Sequence, residues 1–200
     1  MSHYFTNENL KSEIREIKTK ILGHDFIFLT DNGVFSKDKI DFGSRLFLEN
    51  IDLFNISGKV LDVGCGYGTI GLVVSKLTNS DVTMCDVNKR ALHLAEMNLK
   101  ANNINNVNIV ESDCYSNISG KFDYILTNPP IRAGKKVVYE IVMNARNYLT
   151  EKGTLYIVVR KEQGAKSMIR DLEKYYQVSI LEKSKGFFII KCQKIQNTLD

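Results

Sequence analysis

The sequence contains no apolar run long enough to cross a membrane, since a spanning helix needs roughly 18 or more consecutive apolar residues. Its N-terminus, MSHYF, has neither a basic nor an apolar segment, so it does not look like an export signal. The compositional bias of disordered chains is also missing, because 44% of the 200 residues are hydrophobic and 25% are charged. We therefore expect a cytoplasmic chain that folds as one domain, residues 1–200, without a membrane partner.

Cysteine is scarce, and its spacing is not that of a metal site. Cys65, Cys85, Cys114 and Cys192 are far apart in sequence, and no C-x-x-C pair of the kind used by zinc sites occurs. Each lies in or beside an apolar segment, which favours buried reduced thiols over disulfides. We therefore expect no metal site.

The excess of positive charge is small, at +4. Attraction of a polyanion depends on where charges cluster rather than on their sum. Composition alone therefore favours a nucleic-acid partner only mildly.

The order of apolar segments predicts a β-hairpin followed by repeated βα units. Alternating apolar and charged residues over 14–35, interrupted by Gly23-His24-Asp25, predict the hairpin, which makes residues 1–40 an N-terminal extension. Residues 41–200 form the predicted catalytic core. Its predicted strands are 60–63, 81–87, 107–112, 122–128, 154–160, 177–183 and 186–192, and its predicted helices are 42–54, 69–77, one from about 88, 137–149 and 163–175.

This alternation predicts an α/β fold in which helices cover both faces of a mostly parallel sheet. The last two strands are too close in sequence for a parallel crossover, so they should pair antiparallel. In such folds ligands bind at the carboxyl ends of the strands, beside the point where the strand order reverses. Residues that follow strands are therefore the candidates for a binding site.

A glycine-rich loop, DVGCGYG from Asp62, follows the first strand of the core. Gly64, Gly66 and Gly68 permit a tight turn and a close approach of the backbone to a ligand. Because Gly66, Gly68 and Gly71 also match the dinucleotide pattern, the pattern alone leaves NAD open, and an isolated loop of this kind can be a plain strand-to-helix bend. Asp62 argues against a pyrophosphate, which it would repel, and favours the cationic S-adenosylmethionine.

Two further acids follow the next two strands. Asp86 comes 24 positions after Asp62 (86 − 62), where a carboxylate can accept both ribose hydroxyls of either cofactor. Asp113 follows the third strand, within reach of an adenine amine. A lone aspartate at a strand end is commonly a helix cap, so the prediction depends on their shared edge. The predicted cofactor-binding residues of the three strand ends are Asp62, Gly64, Gly66, Gly68, Asp86, Val87, Asp113 and Cys114.

The only two prolines of the chain stand together in Asn128-Pro129-Pro130, directly after the fourth strand. In isolation Pro-Pro would merely terminate a strand. At this edge, the amide oxygen of Asn128 and the carbonyl oxygen of Pro129 can hold an exocyclic amino group and aim its nitrogen at a methyl carbon, with the backbone made rigid by proline. We therefore predict that Asn128, Pro129 and Pro130 are catalytic in methyl transfer to such an amine, and that Asn128 also contacts the cofactor.

A basic stretch follows immediately. Arg132, Lys135 and Lys136 flank Gly134 close to where a target base would enter. Such cations can hold the phosphates on either side of an extruded base, although an ordinary solvated loop would look the same. The predicted RNA-binding residues are Ile131, Arg132, Lys135 and Lys136.

Taken together, these motifs resemble those of class I S-adenosylmethionine-dependent methyltransferases from about residue 40 to the end. The narrower resemblance is to the catalytic domain of bacterial small-subunit ribosomal RNA guanine-N2 methyltransferases and their single-domain relatives, whose ending is similar to SKGFF at 184–188. It implies a Rossmann-like fold with a seven-stranded, mostly parallel sheet, an antiparallel C-terminal hairpin and an N-terminal β-hairpin extension. It also implies that segments 33–38 and 41–44 close over the cofactor, with Phe35, Asp41 and Gly43 among its contacts.

The resemblance implies an enzyme that methylates N2 of guanine in small-subunit ribosomal RNA. The sequence does not fix the oligomeric state, and we favour a monomer. Two features depart from the family pattern. The larger members have an additional N-terminal domain, and many adenine or glutamine methyltransferases have an aromatic residue where Ile131 stands. The alternatives are methylation of protein glutamine or DNA adenine, and a non-catalytic factor that docks on ribosomal RNA during assembly.

Overall fold

The computed structural model describes residues 11–130 and 134–195. A two-stranded sheet precedes a seven-stranded one. Apolar and polar residues alternate along the strands of the small sheet, which is typical of half-buried strands. The central strands of the large sheet have continuous apolar runs, which is typical of fully buried strands. The strands are β1 Arg15–Ile21, β2 His24–Thr30, β3 Lys59–Val63, β4 Asp81–Asp86, β5 Val107–Glu111, β6 Phe122–Thr127, β7 Leu149–Arg160, β8 Tyr176–Ser184 and β9 Phe187–Lys194.

The helices begin where side chains or glycine geometry favour an N-terminus. Asp41 caps the first helix by accepting from the Ser44 amide, and Asn88 caps the third by accepting from the amides of Arg90 and Ala91. None of the helices in the described ranges combines the length and apolar composition needed to span a membrane. The helices are α1 Phe42–Asn50, α2 Thr69–Leu77, α3 Lys89–Ala101, α4 Lys135–Tyr148 and α5 Ala165–Leu172, with short 3-10 turns at Leu53–Asn55 and Lys161–Gln163.

The strand order of the large sheet is β5-β4-β3-β6-β7-β9-β8. Strands β3 to β7 are parallel, and β9 pairs antiparallel with both β7 and β8. The chain moves outward from β3 to β5 and then returns to β6 on the other side of β3, so the order reverses between β3 and β6. These features confirm the predicted fold class, with its antiparallel C-terminal strands and N-terminal hairpin.

Two apolar clusters cover the two faces of the sheet. Along β3, the alternation of side chains sends Val60 into one cluster and its neighbour Leu61 into the other. The first cluster packs against α1, α2 and α3, and the second against α4 and α5. Helices on both faces leave the strand ends as the accessible edge of the sheet.

The N-terminal hairpin is joined to the rest of the chain through two asparagines of α3. The Asn98 side chain accepts from the Leu29 amide at 2.5 Å and donates to its carbonyl at 3.1 Å. Asn102 does the same with Ile27, at 3.1 and 2.6 Å. These amides replace a neighbouring strand along β2, and Phe28 of that strand is fully buried in the core that the first three helices share.

Several predicted element boundaries differ from the observed ones. The predicted helix 42–54 ends at Asn50 because Ile51 has an extended backbone, at φ −82° and ψ 158°. The predicted strand 154–160 begins earlier, at Leu149, which pairs with Phe122 of β6. The predicted helix 163–175 is shorter, because left-handed Gly164 starts it at Ala165.

All four cysteines are buried and unpaired, as predicted. Burial raises the pKa of Cys114 and Cys192 to about 12, so both thiols stay protonated and unreactive at neutral pH. Within residues 11–130 and 134–195, no group of three His, Cys, Asp or Glu side chains is placed to hold a metal ion.

Candidate active site

An open crevice lies at the carboxyl ends of β3, β4 and β5. It brings together residues that follow three different strands, the proline segment after β6 and one side of α4. Six of the predicted site residues line it: Gly64, Asp86, Val87, Asp113, Cys114 and Pro130. The remaining lining residues are Val63, Ser112, Val137 and Ile141.

Sequence reasoning missed the apolar wall that α4 contributes. Val137 and Ile141 are one helical turn apart and therefore lie on the same side of α4. Their spacing indicates only an inward-facing helix, since core residues show the same rhythm. The signal that could have identified them is their position directly after the Asn-Pro-Pro segment.

The glycine-rich loop adopts a conformation that favours glycine. Gly66 has φ 56° and Gly64 has φ 72°, both in the left-handed region. The amides of Gly64 and Cys65 donate to the carbonyl of Cys85, at 2.9 and 3.0 Å, which ties the loop to β4. A Cβ at Gly64 would lie 3.4 Å from Cδ of Pro130. The loop and the proline segment are therefore immediate neighbours.

Gly71, the third glycine of the dinucleotide-like pattern, serves helix packing. A Cβ at this position would lie 2.6 Å from Sδ of Met84 in β4, closer than real contacts allow. Its amide also donates to the buried carboxylate of Asp62. The pattern match at Gly71 thus has a structural cause that needs no pyrophosphate.

Asp86 holds the loop and also faces the crevice. One of its oxygens accepts from the Gly66 amide at 2.8 Å, and the other accepts from the Asn88 amide at 2.9 Å. Burial raises the pKa of this carboxyl, against the effect of these hydrogen bonds. Because each carboxylate oxygen can accept more than one hydrogen bond, Asp86 keeps capacity for a ligand hydroxyl.

Asp62 lies beneath the loop and is 1% exposed. Its Oδ2 accepts from the Gly71 amide at 2.8 Å, whereas its Oδ1 has no partner among the described residues. Burial raises the pKa of Asp62 to about 7, the Gly71 hydrogen bond lowers it, and the charge of Asp86 raises it further. An unpaired buried carboxylate oxygen is costly, and a cationic group above the loop would reduce that cost.

The side-chain amide of Asn128 is held in one orientation. Its Nδ2 donates to Oδ2 of Asp41 at 3.0 Å and to Oγ of Ser44 at 2.9 Å. A carboxylate can only accept hydrogen bonds, so the nitrogen, and not the oxygen, must face Asp41. Both hydrogens of the amide are then used. Oδ1 remains an acceptor without a partner in residues 11–130 and 134–195, two positions before the crevice residue Pro130.

Asp41 lies against Asn128 and Gly43 lies against Phe187, and neither residue lines the crevice. Asp41 accepts from both the Ser44 amide and Asn128, so it joins the start of α1 to the end of β6. A Cβ at Gly43 would lie 2.7 Å from Cε1 of Phe187 and 2.9 Å from Oδ2 of Asp41. Gly43 therefore permits a close approach of α1 to β9. Sequence reasoning named both residues as cofactor contacts and missed this arrangement.

The segment of residues 33–38 is tied to the glycine-rich loop and to the residues after β4. Tyr67 donates its hydroxyl to the Ser36 carbonyl at 3.3 Å, and Asn88 donates to the Gly33 carbonyl at 3.4 Å. Phe35 in this segment is 58% exposed and does not line the crevice. The segment thus borders the glycine-rich loop, and the Phe35 side chain is exposed to solvent.

The predicted RNA-binding residues are only partly described. Ile131 and Arg132 lie outside the described residues. Lys135 and Lys136 are exposed in the first turn of α4, and Nζ of Lys135 lies 5.3 Å from the ring centroid of Tyr139. Two of the predicted cations therefore stand on the helix that forms the apolar wall of the crevice.

Comparison with known proteins gives relatives over nearly the whole chain. The family model for the methyltransferase small domain matches residues 25–191. YbxB of Bacillus subtilis, a protein of uncharacterized function, is 44% identical over 198 residues, covering 96% of this chain and 98% of YbxB. Ribosomal RNA small subunit methyltransferase C of Haemophilus influenzae strain Rd is 38% identical over 151 residues, covering 73% of this chain and 45% of that protein.

Solved structures of methyltransferases are also similar to this chain. The Thermus thermophilus 16S rRNA N2 G1207 methyltransferase, in complex with AdoMet and guanosine, matches with a TM-score of 0.83 at 25% identity, over 93% of this chain and 52% of its own. The ribosomal protein L11 methylase of Lactobacillus delbrueckii subsp. bulgaricus matches in fold alone, with a TM-score of 0.65 at 19% identity over 76% of this chain and 77% of its own. This chain spans about half the length of the ribosomal RNA methyltransferases it matches.

Proposed function

Because this chain belongs to the methyltransferase small domain family, we propose that it transfers the methyl group of S-adenosylmethionine to the 2-amino group of a guanine in small-subunit ribosomal RNA. The observation that carries the proposal is the fixed amide of Asn128, whose oxygen has no partner among the described residues and which lies two positions before the crevice residue Pro130. The likeness to the Thermus guanine-N2 enzyme supports guanine as the acceptor. RNA is then the partner, and a cytoplasmic monomer is the form we propose.

The crevice residues fit the chemistry of this cofactor. Asp86 would accept from the ribose hydroxyls, and Asp113 from the adenine amine. Val137 and Ile141 supply an apolar wall on which an adenine can pack. When bound, the cofactor supplies an electrophilic methyl group on a positively charged sulfur.

The negative charge of the site also fits S-adenosylmethionine, which is a cation. Asp62 is buried beneath the glycine-rich loop with one unpaired oxygen, and Asp86 stands at the next strand end. Two carboxylates at this place favour a cationic ligand and oppose a pyrophosphate. S-adenosylmethionine therefore suits the residues better than NAD does.

Asn128 is the residue to which we assign the catalytic role. The amino group of guanine is a poor nucleophile because its lone pair is delocalised into the ring. Oδ1 of Asn128 and the carbonyl oxygen of Pro129 would accept its two hydrogens and aim the nitrogen at the methyl carbon. Both acceptors are oriented before the substrate arrives, and they also favour the positive charge that develops on nitrogen.

Asp41 and Ser44 would act through Asn128. Both accept hydrogen bonds from Nδ2 of Asn128, so they oppose rotation of the side-chain amide. A rotated amide would present Nδ2, a donor, to the guanine amino group, which needs an acceptor. This gives the residues at the start of α1 a positioning role in the reaction. No general base with a shifted pKa is required, because the proton can leave to water after the methyl group has been transferred.

The proposal is tested by methyl transfer from labelled S-adenosylmethionine to ribosomal RNA, protein and DNA from cells that lack this gene. The wild-type chain and Asn128→Ala are compared, and the labelled product is digested to nucleosides and amino acids. We expect N2-methylguanosine from small-subunit RNA with the wild type only. Label in glutamine or adenine would establish the alternative acceptors, and absence of label in every fraction would support the non-catalytic assembly factor.

A further inference from the structure

A group of aromatic and basic side chains occupies the same edge of the sheet as Asn128, on the side away from the cofactor crevice. We call Phe42, Phe187, Arg160 and Lys185 the aromatic–basic cluster. Arg160 ends β7, which runs parallel to β6, and it pairs with Phe187 at the start of β9. Lys185 lies in the turn that joins β8 to β9. The cluster is therefore built from strand ends that the fold brings together.

Two cations lie close to the two rings of the cluster. The centroids of Phe42 and Phe187 are 5.6 Å apart. Nζ of Lys185 lies 4.7 Å from the centroid of Phe42, and Cζ of Arg160 lies 4.5 Å from that of Phe187. Phe187 is 6% exposed, whereas Phe42 is 37% exposed. The cluster thus presents an aromatic surface to solvent, supported from below by a buried ring.

The charge around the cluster is mostly positive. Lys161 and Lys183 are exposed next to Arg160 and Lys185 in the chain. Among the described residues, Glu162 pairs with the cluster, since its Oε2 is 3.9 Å from Nη1 of Arg160 and its side chain is 75% exposed. A pair this exposed contributes little attraction. Asp41, which precedes Phe42, is hydrogen-bonded to Ser44 and Asn128. Arg160 therefore stays available to an anion.

Lys185 occupies its place at some cost to the backbone. It has φ 47°, and Gly186 after it has φ 79°, so both residues of this two-residue hairpin turn are left-handed. Such turns favour asparagine, aspartate or glycine at the first position, because a longer side chain there is strained. At this strained position the turn carries a lysine, and its ammonium lies beside the exposed ring of Phe42. A turn with only a structural role would not need a lysine there.

The cluster is directly connected to the catalytic segment. Phe42 follows Asp41, which accepts from Nδ2 of Asn128. Gly43, the next residue, is the point at which α1 packs against Phe187. A strand of nucleic acid whose target base reaches Asn128 would therefore bring its neighbouring nucleotides toward this surface.

We propose that the aromatic–basic cluster binds a nucleotide adjacent to the methylated one, with its base stacked on Phe42 and its phosphate held by Lys185 and Arg160. Single-stranded nucleic acids are bound elsewhere by this combination of an exposed ring and cations, because every base has a face to stack and every linkage a charge. The inference rests on the proposed function, since it takes RNA as the substrate.

The experiment measures binding of a fluorescein-labelled, 12-nucleotide, single-stranded RNA of mixed sequence at several salt concentrations. Phe42→Ala and Phe42→Leu are expected to weaken binding about 10-fold, the scale of one lost stacking contact, while leaving the salt dependence unchanged. The leucine variant keeps apolar packing on Phe187, so it separates stacking from folding. Lys185→Gln is expected to weaken binding and to reduce the slope of log K against log salt by about one.

Matched controls come from the opposite edge of the sheet. Phe54 is 69% exposed before β3, and Lys152 is exposed near the start of β7. Phe54→Ala and Lys152→Gln are expected to bind this RNA as the wild type does. Inorganic polyphosphate has charge but no bases. Lys185→Gln should bind polyphosphate more weakly than the wild type does, whereas Phe42→Ala should bind it with the same affinity as the wild type.

The outcomes separate this inference from the proposed function. If the wild type binds and methylates RNA, but the Phe42 and Lys185 variants match the two controls, the cluster is not an RNA-binding surface and the proposed function stands. If the wild type neither binds nor methylates RNA and instead labels a protein, the proposed function fails and the inference fails with it. Calorimetry with S-adenosylhomocysteine should give the same affinity for every variant, since none of them touches the crevice.

Discussion

The two halves of the sheet's carboxyl edge differ in charge and in exposure. At the ends of β3, β4 and β5 stand Asp62, Asp86 and Asp113, two of which line the crevice while the first is buried under the loop. At the ends of β7 and β8 stand Arg160 and Lys185 around an exposed aromatic ring. One half suits a small cation and the other a polyanion, and Asn128 lies between them. In the function that we propose, the first half of the edge holds the cofactor and the second half the substrate, and we call them the cofactor half and the substrate half.

The largest effect is expected where the two halves meet. Asn128→Ala removes the oriented acceptor, and we expect kcat to fall about 100- to 1000-fold, as on loss of one preorganised polar group from a catalytic site. Affinity for S-adenosylhomocysteine, measured by calorimetry, should change less than about 3-fold. Asn55→Ala, at the opposite edge of the sheet, is the matched control. A large loss of cofactor affinity in Asn128→Ala would assign this residue to the cofactor half instead.

Asp62→Asn tests the buried acid of the cofactor half. The pKa of Asp62, raised to about 7, lies above its ordinary value of 3.8, so its protonated form stabilises the folded state. That stabilisation is complete below about pH 4 and is lost as the pH rises through 7. Relative to wild type, the variant should therefore gain roughly 2 to 4 kcal/mol of unfolding free energy between pH 4 and pH 8.5. Denaturant titrations of the ligand-free protein measure this, and an identical pH dependence in both proteins would contradict the buried-acid account.

Asp86→Ala removes the half-buried acid of the same half, which lines the crevice. We expect cofactor binding to weaken by about 1 to 3 kcal/mol, since charge-assisted hydrogen bonds are lost and the Gly66 amide loses its acceptor. Asp81→Ala, at the other end of β4, should leave the affinity unchanged. Isothermal calorimetry with S-adenosylhomocysteine compares them, and equal affinities would remove Asp86 from the site.

Asp41→Asn gives the smallest of these effects and addresses how Asn128 is oriented. Asparagine still caps α1, but it can donate as well as accept, so the Asn128 amide is free to rotate. We expect kcat to fall about 10-fold, with KM for the cofactor and the melting temperature nearly unchanged. Asp52→Asn, which precedes the 3-10 turn at the opposite edge, is the control. A fall in thermal stability without a fall in kcat would make Asp41 a helix cap and nothing more.

The fold could be predicted because its signals are local. The alternation along β1 and β2, the uninterrupted apolar run of β3 and the short turn before β9 each follow from sequence periodicity and connection length. The early start of β7 could not be predicted, since residues 149–153 include the polar TEKG and pair through an irregular register. Its position depends on the neighbouring strand more than on its own composition.

That residues following β3, β4 and β5 line one crevice was predictable for a related reason. Their motifs follow strands, and parallel strands end at one edge of the sheet. The contact between Asp41 and Asn128 joins residues 87 positions apart, and no periodicity reports such a pair. The same holds for the hydrogen bonds from Asn98 and Asn102 to β2, which fill an open strand edge that only the packed structure reveals. Long-range side-chain pairs are decided by tertiary packing.

The most direct test is a crystal structure of the chain with S-adenosylhomocysteine and guanosine monophosphate, in which the distance from Oδ1 of Asn128 to the guanine amino nitrogen is measured. A distance within ordinary hydrogen-bond range, about 2.7–3.2 Å, with Nδ2 still bonded to Asp41, is the predicted result. A guanine bound with its amino group away from Asn128, or an amide rotated so that Nδ2 faces the base, would contradict the account.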